Sequence, residues 1–261
     1  MPPHIMSLHT MSAQPRSVAR HFHCPDLQAL YSEKYDERML EWRQICADEK
    51  SSNIEFLVGN LRSEIQHVLD VGCGTGAVLE RLAEKKIGRT FTGIEIGCER
   101  SQSNGRHGVR IHGYSGSEIP YDDRVFDFVY AAHVLEYVAE ERAFLAELRR
   151  VSRKFVYVEV PCELHLRTSR RSLQRSLDIG HINAYTPESF ALQLETSGLR
   201  VRTLKVFEHK YAVHRFEVPA WLAVIKSTAR RTLLSLNESL ASRIFTYHCG
   251  ALCEAAPLLK F

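Results

Sequence analysis

Residues 67–82 read HVLDVGCGTGAVLERL, and this stretch decides the fold. Residues 68–71 are a short apolar run holding one carboxylate, the pattern of a buried parallel strand. Gly72, Gly74 and Gly76 follow at alternate positions, and Val78, Leu79 and Leu82 then recur at helical spacing. A strand that turns through glycines into a helix presents free backbone N–H groups at the helix N-terminus, a place suited to nucleotide-like ligands. Glycines there let the backbone approach the ligand and tolerate positive φ. Residues 72–77, Gly-Cys-Gly-Thr-Gly-Ala, also satisfy the dinucleotide fingerprint G-x-G-x-x-G/A, so the turn alone leaves a nicotinamide or flavin open.

Two further features narrow the choice. Asp70 sits two residues before the first glycine, at the strand end, where a carboxylate reaches toward a cationic or amino group above the sheet. Residues 125–138, VFDFVYAAHVLEYV, read as a second buried strand opening into a loop and helix. Together these motifs resemble the class I S-adenosylmethionine (SAM) dependent methyltransferases. That family carries a D-x-G-x-G-x-G turn, an acidic residue ending the next strand, then F-D-x-V followed by H-V-L-E-H. Here the last element is His133-Val134-Leu135-Glu136-Tyr137, so Tyr137 departs from the pattern. The resemblance runs from about residue 64 to about 208 with its motifs in the family's order, and it is silent on the methyl acceptor.

Outward from the glycine turn, strands and helices alternate. Strands are expected at 66–71, 90–96, 108–112, 126–131 and 154–160, and helices at 75–86, 98–104 and 139–152. Pro161 is expected to end the fifth of these strands. Such alternation implies a parallel sheet with helices on both faces. Residues 161–185 interrupt it, polar and basic without clear periodicity. A helix restarts where Thr186 offers an N-cap, Pro187 suits the first helical position and Glu188 complements the dipole. Strand 200–208 follows, with a partner strand near 212–217.

The reading is therefore an α/β fold. The resemblance implies a doubly wound, mostly parallel, Rossmann-like seven-stranded sheet with an antiparallel edge hairpin. The expected domains are a disordered leader over 1–24, an N-terminal helical cap over 25–62, a SAM-binding domain over 63–218 and a helical extension over 219–261. The cap is expected to break near residues 51–53. The SAM-binding domain carries a lid over 161–185.

Bulk properties exclude several classes. The chain has 261 residues, 44% hydrophobic content and a net charge of +3, which is too small to imply nucleic acid. No run of eighteen apolar residues predicts a transmembrane helix, and the first twenty residues lack the apolar core of a secretory signal. Seven cysteines without a C-x-x-C pair fit free thiols in a reducing cytoplasm. Cys249 and Cys253 read as two packed thiols on one helical face. His21, His23 and Cys24 have no partner ligands nearby in sequence, and no metal site is expected. Lys226, Arg230, Arg231 and Arg243 offer a basic face toward a membrane surface or acidic partner, but a packed helix pair is the preferred reading.

The resemblance distributes the parts of SAM over the chain. The turn, through Gly72, Cys73, Gly74 and Gly76, would lie against the amino acid portion and ribose, with Asp70 holding the ammonium or orienting the turn. Glu95, nineteen residues after Gly76, would take both ribose hydroxyls, with Ile96 beside it. On the adenine side Ser115 stands where relatives place an aspartate, and Gly116 follows. His133 would face the cofactor or the methyl path. His181, in Gly180-His181-Ile182-Asn183-Ala184-Tyr185, resembles the family's lead-in to the next helix and is the candidate general base, with pinning of the loop as the competing role.

His165, Arg167, Arg170, Arg171 and Arg175 crowd residues 164–177 without an acidic residue. Arg170 and Arg171 are the candidates for binding an anionic acceptor, such as a phosphorylated sugar or a glycan- or lipid-linked phosphate, against a solvated surface run. Tyr35, in the N-terminal helix, is a further acceptor candidate. The expected activity is methyl transfer from SAM to a small or medium-sized acceptor. The competing readings are a methyltransferase-like SAM-binding or scaffold protein with weakened catalysis, and an NAD(P)-dependent oxidoreductase.

Overall fold

The computed structural model describes residues 37–96, 103–104, 106–116 and 118–255. The expected leader over 1–24, the His21–Cys24 stretch and Tyr35 lie outside the described residues, as does most of the expected helix over 98–104.

Strands β1 (His67–Val71), β2 (Thr90–Ile96), β3 (Ser103–Asn104), β4 (Val109–Tyr114), β5 (Phe126–Ala132), β6 (Ser152–Cys162), β7 (Arg200–Phe207) and β8 (Tyr247–Glu254) form one sheet. Their order is β3-β4-β2-β1-β5-β6-β8-β7. Seven of these strands are long; β3 adds two residues to the β4 edge. Strands β4, β2, β1, β5 and β6 run parallel, and β8 runs antiparallel between β6 and β7. This is the expected doubly wound, mostly parallel sheet with an antiparallel edge. Its strand order reverses between β1 and β5, which places a ligand crevice at the carboxyl ends of those two strands.

Side-chain alternation sorts the core into two faces. Val68, Phe128, Tyr130 and Tyr157 pack under helices α1 (Glu37–Val58) and α2 (Ala77–Glu84) with Ile54, Leu79 and Leu82. Leu69, Val129 and Val156 face the other way, against Phe144 and Leu148 of α3 (Glu141–Val151) and Phe190 and Leu194 of α5 (Pro187–Thr196). The F-D-x-V aspartate serves the fold. Asp127 accepts from the backbone N–H groups of Gln66 and His67, both at 3.1 Å, and pairs with Arg153. It ties the start of β1 to β5, at the end of the sheet away from the glycine turn. The Thr186 cap forms as expected, accepting from Ser189 N–H at 3.1 Å within a capping box, a motif worth about 1 kcal/mol.

Four expectations change. Residues 51–53 do not break α1: Ser52 Oγ returns its hydrogen to Asp48 O at 2.7 Å, and Ser51 and Asn53 are buried. They are polar because that helix face covers a polar site. Pro161 does not end β6. Glu159 O accepts from His133 N–H on the β5 side, so residue 161 faces the same side, where pairing with β5 has stopped at Ala132. A missing N–H costs no ladder bond there. Residues 212–217 are not a strand but lie in α6 (Tyr211–Glu217). Val213 and Phe216, three apart, form its inward face, and the Phe216 ring lies 5.0 Å from that of Trp42 on α1.

The fourth change concerns the extension over 219–261. It is helical through α7 (Ala220–Leu236) and α8 (Glu238–Ile244), then returns to the sheet as β8. The edge pair is therefore β7 and β8, with residues 208–246 between them. Cys249 and Cys253 share a face of this strand, not of a helix. Gly250 marks the strand's closest approach to its neighbour: a Cβ there would stand 2.6 Å from the Tyr157 hydroxyl. No described helix is long and apolar enough to cross a membrane.

Candidate active site

A cavity of about 740 Å³ opens where β1 and β5 diverge, roofed by α1. Its size falls within the range of small-molecule sites. One half is built by the glycine turn. Gly72, Gly74 and Gly76 all take positive φ, at 81°, 54° and 79°. At Gly72 the need for glycine is also steric, since a Cβ would meet Val134 Cγ2 at 2.5 Å. The N–H groups of Gly72 and Cys73 both donate to Ile94 O, which stitches the turn to β2. Gly74 N–H donates to Glu95 Oε2 at 2.5 Å, and Glu95 Oε1 accepts from Ile96 N–H at 2.8 Å.

Asp70, Gly72, Cys73, Gly74, Glu95, Ile96 and His133 all line this cavity. Gly76 does not; it caps α2 and donates to Cys73 O at 2.9 Å. Ser115 and Gly116 do not line it either. The last residue of β4, Tyr114, reaches the cavity instead, and its buried hydroxyl has no hydrogen-bond partner. The departure seen at Ser115 thus coincides with a neighbouring aromatic that takes over the wall.

Asp70 is 3% exposed and shares the α1 face with Tyr130, whose hydroxyl donates to Asp70 Oδ2 at 2.7 Å. Burial, reinforced by the charge of Glu95, pushes its carboxyl up to about 7 against the opposing pulls of Tyr130 and Lys50. A carboxyl held near neutrality in a cavity wall has room in its surroundings for a cation. Burial also raises Glu95. A glycine cradle, one carboxylate suited to a cation and a second at the mouth of β2 fit the parts of SAM.

The other half is polar. His133 follows β5 in the left-handed region, φ 62°, a strained conformation that histidine tolerates better than most residues. His181 Nε2 lies 3.1 Å from the Tyr137 hydroxyl, and Nδ1 lies 3.1 Å from Glu163 Oε2. Ser176 Oγ donates to the other oxygen of Glu163 at 2.9 Å. Burial works against a charged His181, but the bond to Glu163 and the charges of Glu136 and Glu163 outweigh it, and its pKa rises. The lead-in around His181 is pinned as well. Ile182 and Asn183 donate their N–H groups to Glu136 O, and Asn183 Nδ2 donates to Leu135 O and Val138 O. Pinning the loop and presenting His181 are thus parts of one arrangement.

Arg170 and Arg171 are not brought to the cavity. They begin α4 (Arg170–Asp178) on its exposed side, and the segment over 161–185 contributes Pro161, Glu163, Ile179 and His181 instead. The basic face of this helix points to solvent. The cations in the cavity wall come from α1, as Arg43 and Lys50.

A third group of residues lies at the cavity floor, and the sequence does not single it out as a unit. Glu49 of α1, Glu159 of β6, His209 after β7 and His248 of β8 meet beside His133. No pattern in the sequence joins them, because each comes from a different element.

A family model described as a methyltransferase domain matches residues 31–204. The chain belongs to the class I SAM-dependent methyltransferase family. The chain is 28% identical over 178 residues to a malonyl-[acyl-carrier protein] O-methyltransferase from Geobacter sulfurreducens, covering 62% of this chain and 66% of that protein. It is 31% identical over 102 residues to a ubiquinone biosynthesis O-methyltransferase from Maricaulis maris, covering 36% and 39% of the two. The first curated relatives are matched over about a third of their own length. Among solved structures, a geranyl diphosphate methyltransferase in complex with SAM superposes with a TM-score of 0.58 at 14% identity, covering 96% of this chain and 100% of that chain. At that identity the likeness is one of fold.

Proposed function

We propose that this methyltransferase moves a methyl group from SAM to an oxygen nucleophile on a small or medium-sized acceptor. The observation that carries this is one cavity that joins the glycine turn to the Tyr137–His181–Glu163 array. Two of the relatives named above are O-methyltransferases, which supports oxygen as the acceptor atom. SAM supplies an electrophilic methyl group, so the protein has to align the acceptor and exclude water. Asp70 would hold the ammonium of the amino acid portion and Glu95 the ribose hydroxyls, with the glycine turn, whose N–H groups at Gly72, Cys73, Gly74 and Gly76 are bonded within the protein, giving the ligand room between them.

An acceptor hydroxyl must lose its proton as it attacks. Glu163 fixes the His181 ring through Nδ1, which leaves Nε2 to take a proton directly or through the Tyr137 hydroxyl. The raised pKa of His181 sets the sign of the pH dependence: turnover falls as pH drops through that pKa, because the base is then already protonated. His181→Ala is expected to lower S-adenosylhomocysteine release at least a hundredfold with any small hydroxyl acceptor that the wild type methylates, while SAM affinity stays unchanged. Equal turnover in the variant would remove His181 from catalysis. Calorimetric titration with SAM, S-adenosylhomocysteine and NAD tests the cofactor itself, and binding of NAD alone would overturn the reading.

Asp70 gives a separate test. With its carboxyl near 7 in place of 3.8, the ligand-free protein loses stability as pH rises from about 3.8 to about 7 and levels off above that, because over this range the unfolded chain has released a proton that the folded carboxyl keeps. A bound ammonium reverses that preference. Proton and ligand compete for one carboxylate, so SAM affinity is expected to fall about tenfold from pH 8 to pH 6. Asp70→Asn should bind more weakly with a flat profile over the same range. A wild-type profile that is flat would place the ammonium elsewhere.

A further inference from the structure

The residues at the cavity floor are arranged for more than a hydrogen-bond network. His133 Nε2 lies 3.3 Å from Glu159 Oε1, and His248 Nδ1 lies 3.4 Å from the same oxygen. His248 Nδ1 is also 3.1 Å from Glu49 Oε1, which in turn is 3.1 Å from His209 Nδ1. The inward oxygen of each carboxylate therefore sits between two imidazole nitrogens. We propose that Glu49, His133, Glu159, His209 and His248, as two triplets that share His248, form a binding site for one divalent transition-metal ion of the zinc or iron(II) class, held by one triplet at a time.

Four observations carry this. The first is spacing. Ligands about 2.1 Å from a common ion stand about 3.0 Å apart along an octahedral edge and about 3.4 Å apart along a tetrahedral one. The four separations above fall within or close to that interval, and His133, Glu159 and His248 on one side, with Glu49, His209 and His248 on the other, each gather their ligand atoms within 4.8 Å. Both triplets have the composition of a two-histidine, one-carboxylate site, and they share His248.

The second is the state of His248. It is 9% exposed, and its Nδ1 is near two carboxylates yet has the angles of a hydrogen bond to neither. A nitrogen aimed between two oxygens suits a shared ion better than either partner. The third is the outer shell. Glu159 Oε2 accepts from Asn53 Nδ2 at 3.2 Å and from the Tyr157 hydroxyl, and Glu49 Oε2 accepts from Lys210 N–H at 2.6 Å. Those bonds hold each carboxylate by its outer oxygen and leave the inner one presented. His133 Nδ1, the nitrogen turned away from the cluster, lies 3.2 Å from Glu136 Oε1 on a fully buried carboxylate. That pair lacks the angles of a hydrogen bond, so Glu136 contributes a buried negative charge behind His133 and no fixed tautomer.

The fourth is charge. Two nearly inaccessible carboxylates bring two negative charges into low dielectric, and one divalent ion neutralises both. Glu49, Glu159 and His248 come from α1, β6 and β8, His133 follows β5 directly, and His209 lies just after β7. His133, His209 and His248 all line the cavity, so an ion is reached from it. The absence of a metal pattern in the sequence follows from ligands drawn from positions 49 to 248. If the methyl-transfer reading holds, the ion's role is to bind and orient an oxygen-bearing acceptor; the existence of the site does not depend on that reading.

The test uses untagged full-length protein stripped with chelator. Zn²⁺ is titrated by calorimetry, and Co²⁺ is followed through its visible absorption bands. One equivalent is expected to bind, with His248→Ala weakening Zn²⁺ at least a hundredfold and Glu49→Gln at least tenfold, each variant checked for folding by circular dichroism. Should His248→Ala fail to fold, His209→Ala, on a half-buried loop, is measured in its place and is expected to lose at least tenfold. Absence of stoichiometric binding overturns the proposal. So does binding that these variants leave unchanged, which would place the ion on other histidines. A parallel SAM titration separates the two readings: metal binding without SAM binding sinks the methyl-transfer reading alone, and SAM binding without metal binding sinks this one alone.

Discussion

Gly74→Val is expected to weaken SAM binding at least a hundredfold, which corresponds to about 2.7 kcal/mol. Gly74 holds φ at 54°, a conformation that is a genuine outlier for a β-branched residue. An added Cβ would also stand 3.0 Å from the Arg43 guanidinium on the cavity roof. Either the turn leaves the left-handed region or Arg43 gives way. In the first case the N–H now aimed at Glu95 swings out, and the cradle opens. Gly74→Ala, which the left-handed region tolerates at about 1–2 kcal/mol, should show an intermediate loss. The core beneath the turn is untouched, so both variants should keep a melting temperature within several degrees of wild type. Wild-type affinity in Gly74→Val, measured by calorimetry, would make the turn purely structural.

Glu95→Ala is expected to weaken SAM about thirtyfold or more, since two charge-assisted hydrogen bonds to ribose hydroxyls contribute roughly 2–4 kcal/mol. In the structure the carboxylate also accepts from Gly74 and Ile96. The substitution therefore combines lost ligand contacts with a loosened turn, and Glu95→Gln separates them. The amide keeps one acceptor oxygen for the loop but cannot accept from two hydroxyls. If ribose binding dominates, Glu95→Gln resembles the alanine variant in SAM affinity. If loop anchoring dominates, the amide restores most of the affinity. An alanine variant that binds SAM like wild type removes Glu95 from the site.

The parts of this molecule that are legible in the sequence share one property: their physics is local. The glycine turn, the carboxylate at the end of β2 and the Thr186 cap each announce themselves within a few residues, and each forms where expected. The arginine run on α4 is plainly basic in the sequence, but a charge count does not say which way a helix faces, and this one faces solvent. Residues 51–53 look like a break because serine and asparagine favour helix ends; the buried partners that keep Asn53 in a helix, Glu159 among them, lie over a hundred residues away. Strand β8 reads as helix because Tyr247-His248-Cys249-Gly250-Ala251-Leu252-Cys253-Glu254 holds no β-branched residue. Gly250 is the one local signal against a helix, and its reason is tertiary, the Tyr157 ring on the neighbouring strand. The floor cluster is invisible for the same cause, since only the folded sheet brings its five members together.

The late position of β8 in the chain has a consequence for how the molecule is made. Strands β6 and β7 do not pair with each other; β8 fills the slot between them. While the chain is being synthesised, every other strand exists before residues 247–254 emerge. Until then β6 offers an open hydrogen-bonding edge in the middle of the apolar layer, and β7 has no partner. Such edges invite pairing with other chains, and contacts between residues so distant in sequence form slowly. This eight-residue strand thus acts as a latch. It closes the sheet, brings His248 to the cavity floor in the same movement, and leaves the strands made before it dependent on it both for solubility and for a finished site.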